Sequence, residues 1–264
     1  MSDRSTLLLD AFTQELGRRS RRQNFTAVND KGLPAGFKAT KAFDLVLDRI
    51  AYARRIGACL ALITGAHGAG KTAAMKFFAH HEDVIYWECR AGYQPKHLLA
   101  DIAEALAVNP GQGWRMQTSI VTQQLAEHPH LFLLDEAQRL NYDSLDLLKY
   151  VGDNSGSTFV LAASPSLEKR IERWPDIASR CPVRAYITPI ELTEFLELYR
   201  NDDFTIESLT EIHRVTKGVM RTIKALLRVI DEEITDFNNR TGATTTRADL
   251  AAGHIRMIAE GVTG

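Results

Sequence analysis

"TGAHGAGKTAAMKFFAHHEDVIYWE", Thr64 to Glu88, contains the full pattern G-x-x-x-x-G-K-[ST] at Gly65, Ala66, His67, Gly68, Ala69, Gly70, Lys71 and Thr72. A short apolar run, Cys59–Thr64, precedes it, and a helical pattern, Lys71–His80, follows. Strand, glycine loop and helix form the context in which such a loop wraps phosphates. Glycines let successive backbone N–H groups turn inward, and the helix amino terminus adds its positive dipole. Lys71 is expected to reach the β- and γ-phosphates of a nucleotide, and Thr72 to place its hydroxyl on Mg²⁺. With Ala73 the expected cradle runs from Gly65 to Ala73. His67 falls at a variable position of the pattern and reads as a loop surface residue. The plain alternative is a glycine-rich turn that merely joins strand to helix; the complete pattern in this context argues against it.

A nucleotide site of this kind needs an acid at the end of another buried strand. "HLFLLDEAQRL" supplies one, since the apolar run Leu131 to Leu134 leads into Asp135 and Glu136. Asp135 is expected in the Mg²⁺ shell, with Glu136 placed to polarise the attacking water. Two solvated acids capping an apolar strand are the bland alternative. A glutamate directly after the aspartate points to ATP hydrolysis rather than to a kinase, which must exclude water. A further strand, Val84–Glu88, intervenes between the cradle strand and this one.

The rest of the chain alternates in the same way. Phe159–Ala163 and Arg184–Ile187 complete the strand candidates. Pro95–Ala107, Met116–Glu127, Ser144–Val151, Pro165–Trp174 and Glu191–Arg200 read as helices. A further helical period lies ahead of the cradle at Phe43, Val46, Leu47, Ile50 and Ala53. Strands alternating with helices predict an α/β fold, a five-stranded parallel sheet flanked by helices. Beyond Asp203 the strands stop, and "VMRTIKALLRVIDEEI" repeats apolar residues at helical spacing. The expected organisation is therefore an amino-terminal extension and linker over 1–35, an α/β core over 36–203 and a small helical subdomain over 204–264.

Bulk composition narrows the classes. With 45% hydrophobic and 25% charged residues the chain has the make-up of a soluble globular protein. A net charge of -1 offers no global positive field to nucleic acid, although a local basic face remains compatible with it. The three cysteines, Cys59, Cys89 and Cys181, show neither paired nor metal-ligand spacing, which suits a reducing cytoplasm. No apolar run is long enough for a membrane span, and the amino terminus has no cleavage pattern. A cytoplasmic protein without a membrane partner is expected.

With these motifs in order, the sequence from about Gly36 to Ile234 resembles the AAA+ superfamily of P-loop ATPases. The resemblance implies further roles. In "FVLAASPSLEKR", Ser164 takes the sensor 1 position, where Asn or Thr is commoner. "IASRCPVRAYI" resembles the stretch carrying an arginine finger, with Arg180 chosen and Arg170, Arg173 and Arg184 as rivals. "KGVMRTIKALL" resembles the sensor 2 pattern, in which Gly218 ends one helix and Arg221 enters the next.

"FDLVLDRIAYARR", "LLDEAQRL" and "LAASPSLEKRI" look like the Mu B, TnsC and TniB group of transposition regulators. That likeness implies a homo-oligomer, ring or helical filament, that coats double-stranded DNA with ATP and recruits a transposase. Mu B carries a larger amino-terminal DNA-binding domain, so this chain is more similar to the compact TnsC form. DNA contacts would then fall on the core, at Arg90 and Lys96 in "CRAGYQPKHLL", near Tyr93 and His97. Arg115, Gln117 and Thr118, on the glycine-rich loop "NPGQGWRMQTS", form the second place. Arg18, Arg19, Arg21 and Arg22 are a further candidate. Two other classes fit the same motifs: a helicase-loader-like ATPase of the IstB type, and a signalling or secretion-accessory switch that needs no DNA.

Overall fold

Runs of fully buried aliphatic residues build the sheet, as expected for strands covered on both faces. The computed structural model describes residues 38–79, 84–109 and 111–263. The expected extension, residues 1–35 with the cluster Arg18, Arg19, Arg21 and Arg22, lies outside the described residues, as does His80. Helix α1 (Lys41–Arg55) leads into β1 (Leu60–Gly65), α2 (Lys71–Phe78) and β2 (Val84–Glu88). Helices α3 (Pro95–Ala105) and α4 (Trp114–Glu127) then precede β3 (Leu131–Asp135) and a single 3₁₀ turn, Ala137–Arg139. The run continues through α5 (Tyr142–Ser155), β4 (Thr158–Ala163), α6 (Pro165–Ile171), α7 (Pro175–Ala178) and β5 (Val183–Ile187).

All five strands are parallel, in the order β2-β3-β4-β1-β5. The α/β sheet expected from the alternating pattern is thus present, with each strand displaced by at most a residue from its sequence reading. Register sets Glu88 beside Asp135 and Thr64 beside Ala163, so the carboxy-terminal strand ends form one edge. Every residue of β1, β3 and β4 is buried. Phe132 stacks on Phe159 at 4.7 Å between ring centroids, within a core that also takes in Leu62, Leu99, Leu125, Leu148 and Leu161. Each such side chain contributes roughly 1.5–3 kcal/mol on leaving water.

Local chemistry explains where helices depart from the periodic reading. The expected helix Pro165–Trp174 stops at Ile171, and a second short helix starts only at Pro175, which holds Trp174 before it out of the helical region at φ -120 and ψ 84. Helix α5 begins earlier than Ser144, since the Asn141 side chain accepts the Ser144 N–H at 2.9 Å. It ends at Gly156, a left-handed cap with φ 72. Helix α4 also starts early, at Trp114 behind Gly113. Arg115, Gln117 and Thr118 therefore stand on the first turns of a helix, which corrects their placement on a glycine-rich loop.

Two compact units divide the chain. The sheet unit comprises Phe43–Gly65 and Lys71–Ile187. The second unit comprises Thr40–Ala42, Ala66–Gly70 and Thr188–Gly264. Four helices carry it: α8 (Leu192–Tyr199), α9 (Ile206–Thr216), α10 (Met220–Thr241) and α11 (Ala252–Thr263). The division falls at Thr188, not after Asp203, because α8 buries Phe195 and Tyr199 among Leu209, Ile212, Ile223, Leu226, Ile230 and Ile255. Among the described residues, no helix is long and apolar enough to cross a membrane.

Candidate functional site

The glycine loop joins β1 to α2 at the carboxy-terminal edge of the sheet. Gly70 has φ 104, and a Cβ built there would meet nothing within 4 Å. Glycine serves here for backbone shape, leaving an open side on which N–H groups can face an anion. Lys71 and Ala69 are buried, whereas His67 is exposed, as expected of a loop surface residue. Lys71 Nζ donates to Gly65 O at 2.7 Å, which folds the ammonium back over the loop. Thr72 is half-buried on the first turn of α2, and Ala73 is exposed beside it.

The loop residues Ala66–Gly70 belong to the same unit as α10. There Arg221, the second residue of that helix, donates its backbone N–H to Gly68 O at 3.3 Å. A Cβ on Gly68 would come within 2.8 Å of Arg221 Cβ, so this close approach requires glycine. The Arg221 side chain is exposed.

Asp135 ends β3 with only 2% of its surface exposed. Its Oδ1 accepts the Glu136 N–H at 2.9 Å, and its Oδ2 accepts the Tyr86 hydroxyl at 3.3 Å. Burial, then the neighbouring Asp135 carboxylate, pushes the Tyr86 phenol upward from its ordinary pKa, so it remains a donor. Glu136 adopts a left-handed conformation, φ 55 and ψ 31, which costs a non-glycine residue about 1 kcal/mol. Its Oε2 accepts from Gln138 Nε2 at 2.6 Å and lies 3.7 Å from the Arg139 guanidinium. Arg139 also pairs with Glu88, at 3.2 Å. Gln138 Oε1 in turn accepts the Ser164 N–H at 3.1 Å, and the Ser164 hydroxyl contacts Ser166 Oγ at 2.7 Å. Lys71, Thr72, Asp135, Glu136 and Ser164 therefore all follow the carboxy-terminal ends of β1, β3 and β4, the middle three strands of the order.

The four arginine candidates separate by what they hold. Arg170 donates to Gln138 O at 2.6 Å and Leu140 O at 3.1 Å, and burial pulls its pKa below the ordinary value. Arg184 donates to Cys181 O and Ala178 O, both at 3.3 Å. Both clamp their own chain. Arg173 and Arg180 are exposed, and Arg180 pairs with Asp153 at 2.9 Å.

Of the residues expected at DNA, Arg90, Lys96 and Arg115 are exposed. Thr118 is half-buried, and its hydroxyl donates to Trp114 O at 2.9 Å. Tyr93 is a core residue, 5% exposed, with its hydroxyl on Asp101. His97 Nδ1 accepts the Gln94 N–H at 3.2 Å. Arg90 lines a groove of about 610 Å³ along β2 and α3 together with Glu88, Asp101 and Glu104. Three carboxylates around one guanidinium give that groove the wrong sign for phosphate.

The donor set fits Mg²⁺ in one manner only. Among the described residues, no group of three or more His, Cys, Asp and Glu side chains is arranged to hold a metal. Thr72 and Asp135 offer two oxygens, which suits an ion that draws its other ligands from phosphate and water. The sequence signals neither Gln138 nor Tyr86 as part of this site, and it offers Arg170 only as a rival for the arginine finger, not as the clamp on the turn after β3. Their partners lie on other strands and helices, so no local spacing signals them.

Residues 55–171 match the family model described as AAA domain. A curated relative from Staphylococcus aureus, "Potential ATP-binding protein", is 29% identical over 133 residues, 46% of this chain and 49% of the relative. The chain thus spans about half the length of that relative. Among solved structures, Aeropyrum pernix ORC1 in complex with DNA is similar with a TM-score of 0.56 and 16% identity, over 82% of this chain and 65% of that one. Aeropyrum pernix ORC2 in its ADPNP-ADP complexes gives a TM-score of 0.52 and 16% identity, over 83% and 66%. At such identity the likeness is one of fold, the AAA+ P-loop NTPase arrangement.

Proposed function

We propose that this chain binds ATP with Mg²⁺ and hydrolyses it, and that its nucleotide state controls assembly on duplex DNA in the service of a transposase. One observation carries the ATPase part. Lys71 and Thr72, the Asp135–Glu136 pair and Ser164 follow the ends of three neighbouring parallel strands, at the edge where such sheets take ligands. Lys71, the residue directly after the glycine loop, would supply the positive charge that holds the β/γ-phosphates. Asp135, buried at the end of β3, would share Mg²⁺ with Thr72; the ion would supply charge neutralisation on the phosphates. Glu136 orients the attacking water and takes its proton. Ser164 would orient that water, and Arg221 would sense the γ-phosphate.

Lys71→Ala should abolish ATP binding. Glu136→Gln should retain binding while turnover falls by roughly 10²–10⁴. Unchanged ATP affinity in the first variant, measured by titration, would remove the cradle assignment.

DNA binding rests on a narrower base. Lys96 and Arg115 are exposed cations, each at the second position of a helix, where free N–H groups also favour phosphate. Thr118, already bonded to its own helix, and Arg90, among carboxylates, are weaker contacts. Repetition of two cations along an oligomer would offset the poor affinity of a chain with net charge -1. Filter binding with random duplex DNA should show retention with ATP and little without it, falling steeply with salt. Removing Lys96 and Arg115 together should flatten the salt dependence and leave ATP affinity intact. Absence of DNA binding in every nucleotide state would favour a second reading, a protein-binding switch, to which the acidic groove beside β2 is better suited.

A further inference from the structure

Glu136 is fixed on three sides by one short stretch of chain, and the side chain that does most of this is a glutamine. Gln138 uses both ends of its amide: Nε2 donates to Glu136 Oε2 at 2.6 Å, while Oε1 accepts the Ser164 N–H at 3.1 Å. The orientation admits no flip. A backbone N–H only donates and a carboxylate only accepts, so the oxygen must face Ser164 and the nitrogen must face Glu136. The glutamine thereby measures the distance between the end of β3 and the end of β4.

Its own backbone is equally constrained. Arg170, from α6, donates to the carbonyls of Gln138 and Leu140, gripping the 3₁₀ turn on both sides of Arg139. Glu136 meanwhile sits in a left-handed conformation that places its carboxylate back over that turn. A residue in such a conformation persists only where its surroundings over-determine it.

We propose that Gln138 is a positioning residue for hydrolysis: it holds the Glu136 carboxylate at a set distance from Ser164, so that base and water-orienting hydroxyl act on the same water. This rests on the reading of Glu136 as the base. The chemistry follows from hydrogen-bond direction. The Gln138 amide occupies one lone pair of Oε2 and leaves Oε1 available to take the proton of the water. A glutamate side chain carries two rotamer-rich bonds beyond Cβ, and without the amide the carboxylate would sample positions unproductive for attack. Misplacement of a reacting group by about 1 Å costs up to 10²-fold in rate.

The isosteric variant Q138E isolates this role. It retains an oxygen to accept the Ser164 N–H and keeps the volume, but loses the donor towards Glu136 and sets a like charge against it. Single-turnover ATP hydrolysis by the full chain, with ATP affinity and urea unfolding measured in parallel, gives the readout. Q138E and Q138A should each slow hydrolysis roughly 10–100-fold with ATP affinity within about twofold of the parent. In an E136Q background, adding Q138A should cost nothing further, because the residue acts through Glu136. Full-rate hydrolysis by Q138E, a loss of equal size in the E136Q background, or a parallel fall in ATP affinity or stability for both variants would each overturn the proposal. E136Q hydrolysing at the parent rate would instead strike the base assignment itself, and the role of Gln138 with it. If E136Q is slow while both Gln138 variants are fast, only the positioning role fails.

Discussion

Arg170 illustrates what a single side chain can be committed to. Its guanidinium serves two carbonyls of the turn after β3 and lies 6.0 Å from the Trp174 ring. Burial lowers its pKa, which means the protein has partly desolvated a charge in order to hold backbone. Truncation would leave both carbonyls without their donor, at a cost of about 1–3 kcal/mol for each group that stays out of water. Arg170→Ala is therefore expected to lower the unfolding free energy by about 3 kcal/mol and to slow hydrolysis, since the turn carrying Gln138 loosens. Urea unfolding and turnover check both. An arginine acting on a neighbouring subunit behaves otherwise: mixing the variant with Lys71→Ala subunits would restore turnover, and for Arg170 no recovery is expected.

Among the helices, one ionic link joins two elements of the second unit. Glu211 on α9 accepts from Arg214 on the same helix, at 2.6 Å and 2.8 Å, and from Arg256 on α11 at 3.0 Å. The Glu211 side chain is 8% exposed, while the arginines are 60% and 58% exposed. Hydrogen bonds from Arg214, then Arg256, outweigh desolvation and bring its pKa from 4.5 to about 2. A folded-state pKa below the unfolded one gives stability that is complete above the unfolded value and is lost as pH falls through the folded value. With guanidinia so exposed, solvent screening limits the contribution to about 1 kcal/mol. Glu211→Gln should thus destabilise the helical unit by about that amount at pH 7, with the difference shrinking below pH 4.5 and mostly lost by pH 2. Urea unfolding of both proteins at these pH values tests it; a difference that persists undiminished at pH 2 would contradict the linkage.

In the assembly we propose, Arg180 is the arginine whose exposure suits action in trans. It is exposed, and its guanidinium joins Asp153 in a surface pair with the arginine side chain 51% exposed. Breaking such a pair costs about 0.2–1 kcal/mol, little enough for a neighbouring active site to recruit the guanidinium. Arg180→Ala should leave ATP binding unchanged and remove the hydrolysis that appears on assembly. Mixed with Lys71→Ala subunits, which cannot bind ATP but carry an intact Arg180, it should regain part of that turnover. Failure to recover in well-mixed assemblies would transfer the role to Arg173, the other exposed candidate.

The sequence by itself determined the glycine cradle, the Asp135–Glu136 pair and the α/β alternation, because each depends on neighbours along the chain. A phosphate loop is eight contiguous residues between a strand and a helix, and a buried parallel strand announces itself as an unbroken apolar run. Periodicity alone misplaced the helix boundaries at Asn141 and Pro175, where a side-chain cap and a proline set them. Tertiary structure alone decided the strand order β2-β3-β4-β1-β5, which places Ser164 between the cradle and the acids. It also separated Arg170 from Arg180, put Arg90 among carboxylates, and joined Gln138 to Ser164 beyond the end of β4. In each of these cases the deciding partner lies far away in sequence, and a side chain's role follows from the donors and acceptors that folding brings within 3 Å of it.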